Sequence, residues 1–174
     1  MPGTYDIQTY LLDRANIHDT IFRMVLAFDT RSPTALVGSV YAPVVHIDYT
    51  QILGGSAKEI SSSEWAKSLE PVLGQYDSTQ HTVSDLLVEL PQPGPAGSTS
   101  AAPRPDTCSV VAYANAWLYH RDSEGGPRVM VRRNGGRYEL QLVRVTELEE
   151  KGQNPWRISK QKMILAYQDK GVDE

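Results

Sequence analysis

Histidine and cysteine are the side chains of this sequence with the most versatile chemistry. The chain has four histidines and one cysteine. A histidine has an unperturbed pKa of about 6.5, so it can take up a proton and return it at neutral pH. A lone thiol, Cys108, can form neither an intrachain disulfide nor a multi-thiolate metal site. The sequence therefore predicts a reducing, cytoplasmic setting, and we expect no metal, although scattered histidines and carboxylates leave a metal site open.

The motifs that bind common cofactors are missing. The sequence contains no Gly-x-x-x-x-Gly-Lys phosphate loop and no Gly-x-Gly-x-x-Gly after a predicted strand. It also lacks His-Glu-x-x-His and Gly-x-Ser-x-Gly. We therefore expect no cofactor.

Charge and length limit the partners and the organisation. Lys and Arg number 17 against 21 Asp and Glu, a net charge of −4, which argues against nucleic acid and anionic membranes. The first residues lack the basic and apolar regions of a secretory signal, and no apolar run is long enough to span a membrane. With 174 residues, the chain is predicted to form one domain over residues 1–174.

A helix is predicted from Asp6 to Asp29. Its apolar residues recur at steps of three and four, which predicts one face packed on the core. The helix ends with a carboxylate, Asp29, just before the break at Pro33. The predicted core-facing stripe is Leu11, Ala15, His18, Phe22 and Val25.

Strands dominate the rest of the chain. Val44–Thr50 alternates like a strand with Tyr49 on its apolar face and His46 on the other, and Ser61 and Glu64 form a capping box that opens a second helix. Helices first and long strands last predict an α+β domain with helices on one face of an antiparallel sheet. A tight turn is expected at Asn134-Gly135. The later predicted strands are Thr79–Leu90, Thr107–His120, Gly136–Glu147 and Trp156–Tyr167.

The segment 91–106 is rich in proline and has no large apolar side chain. Such a segment cannot bury enough apolar surface to offset its ordering. We predict a flexible loop that joins two strands of one sheet.

Two strand faces are consistent with a cavity. In Thr107–His120, one face carries only small residues before Leu118, with His120 at its rim, and such a face leaves space unless a helix packs closely on it. Both readings stay open. Glu139 and Gln141 share a face of the next strand with two valines, and that face either lines a wet cavity or meets solvent. The candidate pocket residues are Ala114, Ala116, Leu118, Glu139 and Gln141.

Several segments together resemble one known family. These are 42–49 (Ala-Pro-Val-Val-His-Ile-Asp-Tyr), Glu64-Trp65 in the capped helix, Thr79-Gln80-His81, and Val110-Val111-Ala112-Tyr113 leading to His120. With Pro155-Trp156-Arg157-Ile158 they resemble scytalone dehydratase and its SnoaL-like relatives, of the nuclear transport factor 2-like superfamily. The resemblance implies a cone-shaped α+β barrel, in which a curved antiparallel sheet wraps around N-terminal helices and an apolar pocket.

The resemblance also implies site residues and an activity. Asp29 and His81 match the family's acid and one of its two histidines, and His120 matches the other. Tyr49 matches a tyrosine that polarises the substrate carbonyl. A base removes a proton next to a carbonyl, a donor holds the enolate oxygen, and an acid protonates the leaving group, without a cofactor. A cofactor-free lyase, isomerase or cyclase of fungal natural-product biosynthesis is implied.

Departures from the family pattern widen the choice of substrate. The resemblance implies that Phe28 binds the substrate, since it stands where the dehydratase has a second carbonyl-polarising tyrosine. A substrate other than scytalone is therefore expected. The alternative is a non-catalytic domain of the same fold that binds a small molecule or assembles with a partner. Relatives pair through the outer face of the sheet, where a row of Tyr113, Trp117 and Tyr119 either forms such a homo-oligomeric contact or covers the helices.

Overall fold

The computed structural model describes residues 5–94, 102–121, 124–126 and 128–170. A six-stranded sheet in the order β2-β1-β6-β5-β4-β3 is antiparallel except where β1 lies parallel to β6. The curved sheet and its N-terminal helices confirm the predicted α+β class. No helix in the described part of the chain is both long and apolar enough to cross a membrane. The helices are α1 (Ile7–Asp29), α2 (Pro33–Ala35), α3 (Thr50–Leu53), α4 (Ser62–Gly74) and α5 (Thr146–Glu149), and a π-helical turn, Leu36–Val40, follows α2. The strands are β1 (Tyr41–Asp48), β2 (Lys58–Ser61), β3 (Ser78–Glu89), β4 (Thr107–Arg121), β5 (Arg128–Arg144) and β6 (Trp156–Lys170).

Helix α1 has the predicted bounds but buries a different face. The Asp6 carboxylate caps it by accepting the Thr9 N–H, as helix N-termini require. In the predicted stripe only Val25 is buried, whereas Leu11 is 56% exposed and Phe22 is 43% exposed. The buried face carries Asp13, Ile17, Thr20, Ile21, Met24, Ala27 and Phe28.

The buried face includes two polar residues, Asp13 and Thr20. Both are fully buried and have partners. Thr20 Oγ1 donates to the Asn16 and Trp156 carbonyl oxygens, and the Asp13 carboxylate accepts the Trp156 indole N–H at 2.9 Å. The partner that the two residues share, Trp156, lies on β6. The apolar residues of this face, Ile17, Ile21, Met24 and Phe28, also recur at steps of three and four, so the helical period alone allowed either face.

The proline-rich segment is described in part. Residues 95–101 of the predicted loop lie outside the described residues. At 102–106 the chain is attached to α1, because Arg104 donates to both oxygens of Asp13, at 2.9 and 2.7 Å. Arg104 also pairs with Glu149 of α5, which in turn accepts from Arg144. This cluster of charges joins the segment, α1, α5 and β5.

Strand β5 runs without interruption through the predicted turn at Asn134-Gly135. Both residues pair across the sheet with β4, and the register against β6 shifts between Gly135 and Gly136. A Cβ on Gly136 would lie 2.0 Å from the Ile164 carbonyl oxygen, so glycine is needed there for close approach of the two strands. The turn prediction was wrong because this glycine pair permits a bulge in the sheet.

Cys108 lies on the inner face of β4. The residue is 3% exposed and its thiol contacts the Glu89 carbonyl oxygen of β3. On the outer face, Tyr113 is exposed while Trp117 and Tyr119 are half-buried.

Candidate active site

A pocket opens between the inner face of the sheet and the helices α3 and α4. It has a volume of about 180 Å³ and its wall is mainly apolar. The residues predicted for the pocket from β4 (Ala114, Ala116 and Leu118) and from α1 (Phe28) line it. The small side chains of β4 leave this space open, while α4 supplies Leu69 and Leu73 on the opposite side.

Asp29 and His81 form a hydrogen-bonded pair at the pocket. The distance from His81 Nδ1 to Asp29 Oδ1 is 2.6 Å, although the two residues are 52 positions apart in the chain. The same carboxylate accepts the His81 backbone N–H at 2.9 Å and the Thr79 hydroxyl at 2.9 Å. Because a carboxylate that accepts these groups also accepts the Nδ1 proton, the Nε2 lone pair is left free.

The His81 ring is held in an apolar environment. Its side chain is 11% exposed, and the Phe28 ring meets it edge-on with centroids 5.5 Å apart. His81 also belongs to the pocket lining. An imidazole with a free Nε2 and a carboxylate behind it has the arrangement of a general base.

Tyr49 lies at the pocket in a chain of buried hydrogen bonds. The Gln161 side-chain amide donates to the Tyr49 hydroxyl at 2.8 Å and accepts the Tyr41 hydroxyl at 2.5 Å. Since the Tyr49 oxygen accepts a hydrogen bond from Gln161, its own proton is directed elsewhere, to the neighbouring Tyr138 or to a ligand in the pocket. Burial, together with the neighbouring Tyr138, raises the pKa of Tyr49 well above its usual value, so the phenol stays protonated.

His120 does not join this group. It is the second-last residue of β4 and lies outside the pocket lining, and its side chain is 45% exposed. Its Nδ1 is 3.7 Å from the Asp77 carboxylate, and its ring stacks on Tyr76 with centroids 5.4 Å apart. The predicted convergence of two histidines on one pocket is therefore not seen.

Glu139 and Gln141 also lie outside the pocket. They alternate along β5 with Tyr138, Leu140 and Leu142, which are buried. Glu139 instead accepts from Arg137 at 3.1 Å on the opposite face. The prediction that both residues bind substrate is corrected: this face is the solvent-facing one, as expected for a carboxylate without a buried partner.

Arg132, Asn134, Tyr138 and Gln161 belong to the site but were missed. Stepping back by twos from Tyr138 along β5 passes through Gly136 to Asn134 and Arg132, which share the inner face. The strand periodicity would have found them if the Asn-Gly pair had not been taken as a turn. Gln161 carried only a weak signal, an uncharged polar residue two positions before Met163 on β6.

The two remaining histidines, His46 and His18, lie outside the pocket lining. His46 is exposed on β1, and His18 is exposed and stacks on Phe22. Within the described ranges, no three His, Cys, Asp or Glu side chains are grouped as metal ligands.

Several solved structures share the fold of this chain. The Kfla4162 protein of Kribbella flavida superposes with a TM-score of 0.70 at 21% identity, covering 90% of this chain and 93% of that one. A Novosphingobium aromaticivorans protein described as a scytalone dehydratase gives 0.64 at 17% identity, over 96% and 93% of the two chains. A hexachlorocyclohexane dehydrochlorinase, LinA type 3, of Novosphingobium barchaimii gives 0.62 at 16% identity, over 95% of each.

Sequence places the chain more specifically. Residues 9–162 match the model of the SnoaL-like domain, so this protein belongs to the SnoaL-like family. No curated protein matches the chain.

Proposed function

We propose that this protein is a cofactor-independent lyase or isomerase that acts on a small carbonyl-bearing molecule. The observation that carries the proposal is the Asp29–His81 pair, with its imidazole in an apolar pocket that also contains the Tyr49 hydroxyl. Structural neighbours include proteins named for the removal of water and of hydrogen chloride. Elimination of water or of hydrogen chloride requires that a base remove a proton from carbon.

The proposed reaction starts with His81 Nε2 taking a proton from the carbon next to the carbonyl. The C–H electron pair moves into an enolate, and the Tyr49 hydroxyl donates a hydrogen bond to its oxygen. Asp29 stabilises the imidazolium that forms. In a dehydration the carbonyl re-forms, the C–O bond at the next carbon breaks, and the imidazolium proton leaves with the hydroxyl as water.

The position of His120 adds a stereochemical consequence. In the described pocket lining, His81 is the only histidine, and we assign both the base step and the acid step to this side chain. A proton taken and returned by one imidazole requires both bonds to react on one face of the substrate. Syn elimination, or transfer of the proton along one face in an isomerisation, is therefore the proposed course, and cyclisation or rearrangement can start from the same enolate.

Cyclic β-hydroxyketones are suitable probes because elimination gives a conjugated enone that absorbs in the ultraviolet. In D₂O, proton NMR also detects exchange at the carbon next to the carbonyl when elimination is slow. We expect the wild-type protein to catalyse one of these reactions with at least one member of a panel. His81→Ala and Asp29→Asn should each lower the rate about 100-fold, while the exposed His46→Gln should leave it unchanged.

The opposite result would be full activity in both His81→Ala and Asp29→Asn, which would show that the pair is not the base. The placement of His120 outside the pocket gives some support to a second candidate, a non-catalytic domain that binds a small molecule. Tight binding of panel members without exchange or elimination would favour that candidate. A polyketide, terpenoid or alkaloid intermediate, and a fungal origin, stay predictions of the family resemblance.

A further inference from the structure

One end of the pocket is polar and positively charged. Arg132 and Asn134 both line it, from alternate positions on the inner face of β5. Residues two apart on a strand lie about 7 Å from each other and point to the same side. The two side chains can therefore contact neighbouring groups of one ligand.

Arg132 has no counterion in the part of the chain that is described. None of its guanidinium nitrogens makes an ion pair or hydrogen bond there, in contrast to Arg104, Arg137 and Arg144. The described pocket lining contains no Asp or Glu. The chain as a whole is acidic, with a net charge of −4. An unpaired cation in a mainly apolar pocket of such a chain favours an anionic ligand.

Asn134 provides a second, independent observation. It is 7% exposed, and its Oδ1 is buried without a hydrogen-bond partner. A buried amide oxygen without a donor is costly, and it is accounted for if a ligand donates to it. A hydroxyl group is the simplest donor of this kind.

The sheet register places these groups relative to the base. His81 pairs with Ala116 of β4, and Ala116 pairs with Asn134 of β5. His81 and Asn134 are thus two strands apart, roughly 10 Å between their backbones. A small molecule held at one end by β5 can reach His81 with the other.

We propose that the ligand of this pocket is a hydroxylated carboxylic acid, with its carboxylate on Arg132 and a hydroxyl donating to Asn134 Oδ1. A guanidinium binds a carboxylate with two parallel hydrogen bonds, which also fixes the orientation of the ligand. This assignment rests on the proposed function only for the reaction that follows. Binding of the acid requires no turnover.

Three aromatic probes separate the contributions. 3-Hydroxybenzoate carries both groups, 3-hydroxybenzamide replaces the charge by a neutral amide, and benzoate lacks the hydroxyl. By calorimetry or NMR titration, we expect the wild-type protein to bind 3-hydroxybenzoate at least about tenfold more tightly than 3-hydroxybenzamide. Arg132→Gln should abolish that preference, and Asn134→Leu should abolish the preference for 3-hydroxybenzoate over benzoate.

The control is the next residue in the strand. Arg133 contacts Tyr167 and Asp169 and does not line the pocket, so Arg133→Gln removes the same charge and should keep the preference for the acid. Arg132→Lys retains the charge and should keep part of the preference, which guards against a variant that fails to fold. Circular dichroism of each variant checks the fold.

His81→Ala distinguishes this assignment from the proposed reaction. It should lose catalysis but still prefer the acid to the amide. Equal wild-type affinity for the acid and the amide would overturn the assignment, as would an acid preference that survives Arg132→Gln or disappears in His81→Ala. The proposed reaction can fail in its own test while the acid preference is still observed.

Discussion

At the scale of single residues, the direction of each hydrogen bond decides what the site can do. Asp29 accepts from His81 and so leaves Nε2 as the free nitrogen of the ring. Gln161 donates to Tyr49 and so leaves the phenol with a proton to give. A base and a donor are thereby defined by two residues that need not touch the substrate, Asp29 and Gln161.

Replacement of Tyr49 and of Tyr41 by phenylalanine, one at a time, tests the role of these hydrogen bonds. Tyr49→Phe removes the donor from the pocket, so we expect the turnover number of a substrate found in the panel to fall about 100-fold. Tyr41→Phe removes only the hydrogen bond to Gln161, at the end of the chain farther from the pocket, and should lower turnover far less. Steady-state kinetics of the two variants makes the comparison, and equal losses would show that Tyr49 has no special role.

His120 shows where residue-level prediction stopped. The family resemblance pointed to Asp29, His81 and Tyr49. Strand alternation placed Tyr49 on the side of the buried Val45 and Ile47, although β1 ends one residue before it. Alternation also assigns His120 to the inner face of β4, but it does not say how far along the strand the helices cover that face. Whether a residue on that face lines the pocket depends on how the helices pack against the sheet, and the local pattern of β4 carries no information about this packing.

At the scale of elements, strand β5 is the part of the fold that the sequence pattern misrepresented. It is one strand of 17 residues, whereas the sequence predicted a strand only from Gly136 onward, after a turn at its Asn-Gly pair. This error affected the prediction of the site, because Arg132 and Asn134 lay outside the predicted strand and were not considered as pocket residues. The face of α1 was predicted wrongly because two sets of apolar residues recur at helical steps, and only packing on the sheet selects the set that contains Ile17, Ile21 and Met24.

Gly136→Ala tests the close approach at β5. The new Cβ would clash with the Ile164 backbone oxygen, which cannot move without β6. We expect the free energy of unfolding to fall by about 2 kcal/mol or more. Gly38→Ala is the matched control, because a Cβ there meets no atom within 4 Å and the change should alter stability by less than about 0.5 kcal/mol.

Urea denaturation of the two glycine variants measures both free energies. Similar values for Gly136→Ala and Gly38→Ala would contradict the bulge as a point of required contact between β5 and β6.

At the scale of the whole molecule, the cluster around Arg104 holds together segments that are far apart in the chain. Arg104 pairs with Asp13 of α1 and with Glu149 of α5, and Arg144 of β5 pairs with Glu149 and Asp106. Burial opposes ionisation of Glu149, but hydrogen bonds from Arg104 and Arg144 outweigh it and lower the pKa of this carboxyl. The contribution of Glu149 to the stability of the native state therefore requires its charged carboxylate.

The pH dependence of stability follows from that direction. The folded-state pKa of Glu149 lies below the unfolded value of about 4.3, so its contribution is present above that pH and is lost as the pH falls through the folded value. Glu149→Gln should lower the melting temperature at pH 7, and the difference from wild type should shrink below about pH 4.3. Thermal unfolding between pH 3 and 7 measures it, with the exposed Glu147→Gln as control. A difference that is constant with pH would exclude the ion pairs as its cause.

The single cysteine has a use in studying this protein. Burial raises the pKa of the Cys108 thiol to about 12, and the side chain is out of contact with solvent. Thiol reagents need an accessible thiolate, so the native chain is already a cysteine-silent background. A Gln75→Cys substitution, at an exposed residue of the pocket lining, would give a single attachment point for a fluorophore. Ligand entry could then be followed optically without removing any native residue of the core.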